Sequence, residues 1–118
     1  MDELLAKPDA PSLEDAIVVA EAGLGGEVPA AKSPTASDVL PTAKPGDYAF
    51  AWKGARAAFL LADLAEGDAN RRSHFARKTI ALGRRAVAAR SGGAEGHYYT
   101  GLGVAYVARG KTFGAREI

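Results

Sequence analysis

The side chains in this chain that could move a proton or hold a metal ion are His74, His97, Glu95 and the cluster Asp63, Glu66 and Asp68. Their spacing argues against both tasks. Glu95 and His97 are two residues apart, so on a helix they point about 200° apart and cannot share one ion. His97 is therefore expected in a polar or packing role. The three carboxylates gather where a helix should end and read as a solvated terminus, because acid–base chemistry would need a pocket around them. There is no cysteine, which excludes disulfides, thiol catalysis and cysteine-based zinc sites. Gly23, Gly25 and Gly26 follow Ile17-Val18-Val19-Ala20 and offer a rival reading, a buried strand before a phosphate loop. Such a loop opens into a helix, whereas Glu27-Val28-Pro29 comes next. Gly101 and Gly103 sit inside a helical stretch without a third glycine. The expectation is no catalytic residue, no metal and no cofactor.

The elements follow from apolar spacing. Leu13, Ile17, Ala20 and Leu24 predict a short helix over 12–22, with Ser12 as its N-cap and the glycines as its stop. Trp52, Ala55, Phe59 and Ala62, widened by Leu60, Leu61 and Leu64, predict a helix over 47–65 capped by Asp47. Phe75, Ala76, Thr79, Ile80, Gly83, Ala86 and Val87 share a face of a helix over 70–90, capped by Asn70. Tyr98, Tyr99, Leu102, Tyr106 and Val107 mark a helix over 94–110, which Gly96, Gly101 and Gly103 weaken, so packing must hold it. Residues 1–11 read as a flexible arm. Residues 27–46, with Pro29, Pro34, Pro41 and Pro45, read as a linker or insertion. The fold class is all-α, built of antiparallel helical hairpins. Apolar residues make up 47% of the 118, many of them alanine. The core should rest on Trp52, Phe59, Leu60, Phe75, Ile80, Leu82, Val87, Tyr98 and Leu102.

Net charge is +1, which favours neither nucleic acid nor a membrane surface. The distribution is uneven. Residues 1–30 hold seven acids and one base, and residues 70–90 hold seven bases and no acid. This predicts either partner orientation or intramolecular attraction. Arg77, Lys78, Arg84 and Arg85 fall opposite the apolar stripe of their helix and form an expected solvated basic face, the candidate docking surface for an acidic protein. No aromatic residue interleaves them for stacking on bases. No run of eighteen apolar residues exists, so no transmembrane helix is expected. The Met-Asp-Glu start has no basic region before an apolar one, so no signal peptide is visible.

Tetratricopeptide repeats pair a helix A bearing W-x2-L-G-x2-Y with a helix B of small residues. The stretch Ala94-Glu95-Gly96-His97-Tyr98-Tyr99-Thr100-Gly101 resembles the start of a helix A. One register puts Gly101 at the small position against helix B. Another, two residues later, matches Tyr99, Leu102, Gly103 and Tyr106. Trp52, Ala55, Arg56 and Phe59 form a weaker copy, about 46–47 residues upstream against about 34 in a strict repeat. Ala86-Val87-Ala88 resembles the end of a helix B, and Asp15-Ala16-Ile17 with Glu21-Ala22 that of a preceding unit. More narrowly, Trp52-Lys53-Gly54-Ala55-Arg56-Ala57-Ala58-Phe59, Arg84-Arg85-Ala86-Val87 and Glu95-Gly96-His97-Tyr98-Tyr99-Thr100-Gly101 resemble the T-component proteins of tripartite ATP-independent periplasmic transporters. The likeness runs over about residues 12–110, interrupted by 27–46. It implies a helical accessory protein of the periplasm that associates with a solute-binding partner. The lipobox cysteine of that family is absent here.

The functional expectation is a non-catalytic helical-repeat protein for protein–protein interaction or assembly. The alternative is a small-molecule-binding protein with an aromatic-lined groove or pore. After the last predicted helix, Lys111 to Ile118 are too few for a full helix B. Tyr98, Tyr99, Tyr106 and Val107 are then expected to present an apolar surface covered by another chain, a homo-oligomer or larger assembly.

Overall fold

Asp9, not Ser12, starts the first helix. The computed structural model describes residues 9–32, 40–65 and 67–117, with side chains up to residue 109. Among these are four α-helices and no strand, so the rival strand at 17–20 is excluded and the all-α class holds. Residues 1–8 of the expected arm, residues 33–39 of the expected linker, and Glu66 lie outside the described residues.

Helix α1 is Ala10–Gly23. The Asp9 carboxylate accepts the Ser12 N–H at 2.9 Å, and Pro11 sits in the first turn, where a missing N–H costs nothing. The expected stripe is the buried one: Leu13, Ile17, Ala20 and Leu24, with Ala16. Gly25 and Gly26 end the helix at φ +92° and +153°, conformations that suit glycine.

A 3-10 turn, Pro45–Asp47, leads into helix α2, Tyr48–Leu64. Asp47 does not cap α2 with its side chain. It accepts from the Lys44 N–H at 3.0 Å and closes the turn before the helix. The buried face of α2 is built of Ala51, Gly54, Ala55, Ala57, Ala58, Leu61 and Ala62. A Cβ on Gly54 would lie 3.0 Å from the Ala20 Cβ and 3.4 Å from Leu82 Cδ1. The missing side chain therefore lets two neighbouring helices approach α2 at one point. Leu64 is exposed rather than part of the stripe.

Helix α3, Ala69–Ala89, is capped by Asp68, which accepts the Arg71 N–H at 3.0 Å; Asn70 lies inside the first turn. Helix α4 is Ala94–Glu117, a turn or two longer than the apolar pattern implied. A Cβ on Gly96 would meet Val87 N at 3.0 Å, and one on Gly103 would meet Ile80 Cγ1 at 2.7 Å and Ala76 O at 3.0 Å. Nothing lies within 4 Å of the same position on Gly101. Gly96 and Gly103, and not Gly101, therefore face α3.

Residue offsets give the topology. Gly96 meets Val87 and Gly103 meets Ile80, so α3 and α4 are antiparallel. Tyr48–Glu95, Trp52–Tyr99 and Phe59–Tyr106 all pair at an offset of 47, so α2 and α4 run in the same direction. Glu14–Arg71 and Glu21–Lys78 pair at an offset of 57, so α1 and α3 do too. Consecutive helices are antiparallel and alternate helices parallel. One core cluster joins Leu13, Ile17, Leu61, Leu82 and Tyr99, from all four helices. A second joins Ala62, Ala76, Ile80 and Val107. Helix α1 thus shares one core with α2, α3 and α4.

Candidate functional site

Glu95, His97, His74 and Asp68, offered by the sequence for proton or metal chemistry, each have a structural partner. Glu95 accepts from the Tyr48 hydroxyl at 3.2 Å and 3.3 Å. His97 Nε2 is 2.7 Å from the Ser91 carbonyl, where it ties the turn before α4 to the helix. The two side chains diverge, as their spacing requires. His74 packs edge-on against the Phe75 ring at 5.0 Å. No group of three metal-ligating side chains occurs among the described residues.

The basic face of α3 is not solvated. Arg77 Nη1 donates to the Lys32 carbonyl at 2.8 Å. Lys78 is buried and donates to Glu21 Oε2 and to the Val28 carbonyl, each at 2.6 Å. Arg85 donates to the Leu24 carbonyl at 3.3 Å and faces Asp47 Oδ2 at 3.5 Å. Arg84 is 9% exposed. These four residues correct the expectation of an open docking surface. The acid-rich α1 and segment 24–32 lie across them, so of the two readings of the charge asymmetry the structure takes intramolecular attraction. The segment 27–32 forms no helix or strand, and its carbonyls need donors that a ladder would otherwise supply. Arg77 and Lys78 provide them. Val28 N–H in turn donates to Glu21 Oε2 at 2.5 Å, and Ala31 N–H to the Arg77 carbonyl at 3.1 Å. This first part of the expected linker is held on α3. The sequence held a signal for it: Glu14 and Glu21 are seven apart, as are Arg71 and Lys78, and equal spacings on two helices permit a ladder.

The aromatic residues divide differently from their expected grouping. Tyr99 and Val107 are buried by their own chain, and Tyr106 is partly buried, its ring edge-on to Phe59 at 5.7 Å. The apolar surface expected from Tyr98, Tyr99, Tyr106 and Val107 is therefore corrected to Tyr98 alone. The cause is α2, which lies beside α4 and supplies Trp52 and Phe59. The Trp52 ring stacks on Tyr99 at 6.5 Å and 5°. Tyr98 is 61% exposed and sits edge-on to Tyr99 at 5.1 Å. Lys53 Nζ lies 5.7 Å from the Trp52 ring centroid, and Arg56, four residues after Trp52, is exposed on the same side of α2. Tyr98, Tyr99 and Trp52 thus form an aromatic patch in which Tyr98 is exposed, Trp52 partly buried and Tyr99 buried, with Lys53 over the Trp52 ring. The cations were missed by the sequence reading, though Trp52-Lys53 and Arg56 stand at helical spacing.

No protein-family model, curated protein or solved structure matches the chain. No helix of the described residues is long and apolar enough to cross a membrane.

Proposed function

We propose that this chain is a non-catalytic helical-hairpin protein that binds another protein through the shared α2/α4 face. The observation that carries the reading is Tyr98, 61% exposed at the head of the Tyr99–Trp52 stack. An aromatic side chain pre-ordered by its neighbours loses little entropy on binding, which is how interface hot spots are built. Lys53, over the Trp52 ring, and Arg56, exposed four residues after Trp52, select a partner segment with an apolar anchor and acidic flanks. Stacked helical hairpins present such faces in repeat proteins generally. Under the resemblance to transporter T-components, the partner is the solute-binding protein of an uptake system.

The test is a photo-crosslinking residue placed at position 98 in the source cells, with Ser91 as a control position. A protein captured from 98 and not from 91 is expected. In binding to that protein, Tyr98→Ala should weaken affinity about tenfold or more, and Lys53→Glu with Arg56→Glu should reduce the association rate and its salt dependence. A Tyr98→Ala protein that binds its captured partner as tightly as wild type sinks the assignment.

A further inference from the structure

Arg85 lines two clefts, each of about 260 Å³. One lies between segment 27–31 and α3. Its walls include the apolar Val28, Pro29, Ala31 and Ala81, and its charged groups are Glu27, Arg84 and Arg85. The other lies between the end of α1 and the approach to α2, with Lys44, Asp47 and Arg85 as its charged groups. Each cleft therefore has two cations against one anion. Arg85 is also under-satisfied. Its Nε is buried and meets no acceptor among the described residues. Its contacts to Leu24 O and Asp47 Oδ2, at 3.3 Å and 3.5 Å, are long against the roughly 2.7–2.9 Å of a charge-assisted bond. A ligand cannot reach that shielded atom, so it meets Arg85 through the part of the side chain that stays exposed. The side chain keeps 22% of its exposure, so part of it is open to a ligand.

The geometry points to the first cleft as a binding site for a small monocarboxylate with a short apolar body. The planar guanidinium fork matches a carboxylate. Arg84 adds positive potential, while Val28, Pro29, Ala31 and Ala81 take the hydrocarbon. Glu27 and the apolar wall disfavour a second negative charge, which sets the site against phosphate and dicarboxylates. The volume falls just under the roughly 300–1,000 Å³ of sites for drug-sized ligands, so the acid is a short one. This site lies on the α1/α3 side and does not depend on the protein-binding reading of the α2/α4 face.

Butyrate, butyramide and inorganic phosphate, titrated into the full chain with calorimetry and thermal unfolding as readouts, test the assignment. Butyrate should raise the melting temperature in proportion to its occupancy, and butyramide and phosphate should not. Arg85→Lys keeps the charge and loses the fork, and should weaken butyrate binding roughly tenfold. Ala81→Leu fills the cleft while leaving both arginines in place, and should abolish binding; it decides the matter even if Arg85→Lys fails to fold. Absence of a butyrate effect, phosphate binding tighter than butyrate, or wild-type binding by Ala81→Leu would each overturn the proposal.

Discussion

Lys78 keeps its charge out of water by giving its ammonium two oxygens, the Glu21 carboxylate and the Val28 carbonyl. Both members of the ion pair are largely shielded, at 7% and 14% side-chain exposure, so each depends on the other. Removing one partner of a buried pair leaves an uncompensated charge. Glu21→Ala should therefore cost about 3–5 kcal/mol, in part because the Val28 N–H also loses its acceptor. Adding Lys78→Met should recover a large share of that loss, since the stranded charge is gone. Urea unfolding of the two single variants and the double gives the coupling directly. A double variant as unstable as the sum of the singles would show that the pair is not coupled. By contrast, Glu14 and Arg71 pair at the surface, where an ion pair contributes little.

At the level of elements, the caps and glycines make predictions of opposite sign for neighbouring residues. The N-caps observed are Asp9 and Asp68. Asp9→Ala and Asp68→Ala should each cost about 1 kcal/mol. Ser12→Ala and Asn70→Ala, at the caps expected from sequence, should cost much less, as measured by denaturant midpoints. In α4, Gly103 faces the Ile80 side chain and the Ala76 carbonyl, while Gly101 faces open space. Gly101→Ala should stabilise the helix by about 0.5–1 kcal/mol. Gly103→Ala should destabilise by about 1–3 kcal/mol, the usual cost of overpacking. Equal effects at the two sites would contradict the register of α4 on α3.

For the whole molecule, a core cluster drawn from all four helices predicts cooperative unfolding, unlike a long array in which each unit contacts only its neighbours. Trp52 is the only tryptophan and reports the α2–α4 contact through its stack on Tyr99. Its fluorescence and the far-UV circular dichroism should therefore change at the same urea concentration. Loss of helical signal ahead of the fluorescence would show that α1 leaves first. Burial of Tyr99 and Val107 within the chain also removes the reason, present in the sequence, to expect self-association through α4. Light scattering at dilute concentration should return a mass near 12.2 kDa.

The sequence by itself determined the helices, because helical spacing is local. Leu13, Ile17, Ala20 and Leu24 had to share a side, and that side is buried. The two ring contacts between α2 and α4, Trp52–Tyr99 and Phe59–Tyr106, share an offset of 47. The sequence also separated Arg77, Lys78, Arg84 and Arg85 from the apolar stripe of α3. What a helical wheel lacks is the identity of the neighbour on each side. Only the tertiary structure showed that α1 and segment 24–32 cover the basic side, so that charges expected in water satisfy carbonyls and carboxylates up to 61 residues away. The same holds for α4. Its aromatic and apolar residues fall on more than one side on paper, and only the approach of α3 at Gly103 and of α2 at Tyr99 decides which are covered, leaving Tyr98 facing solvent.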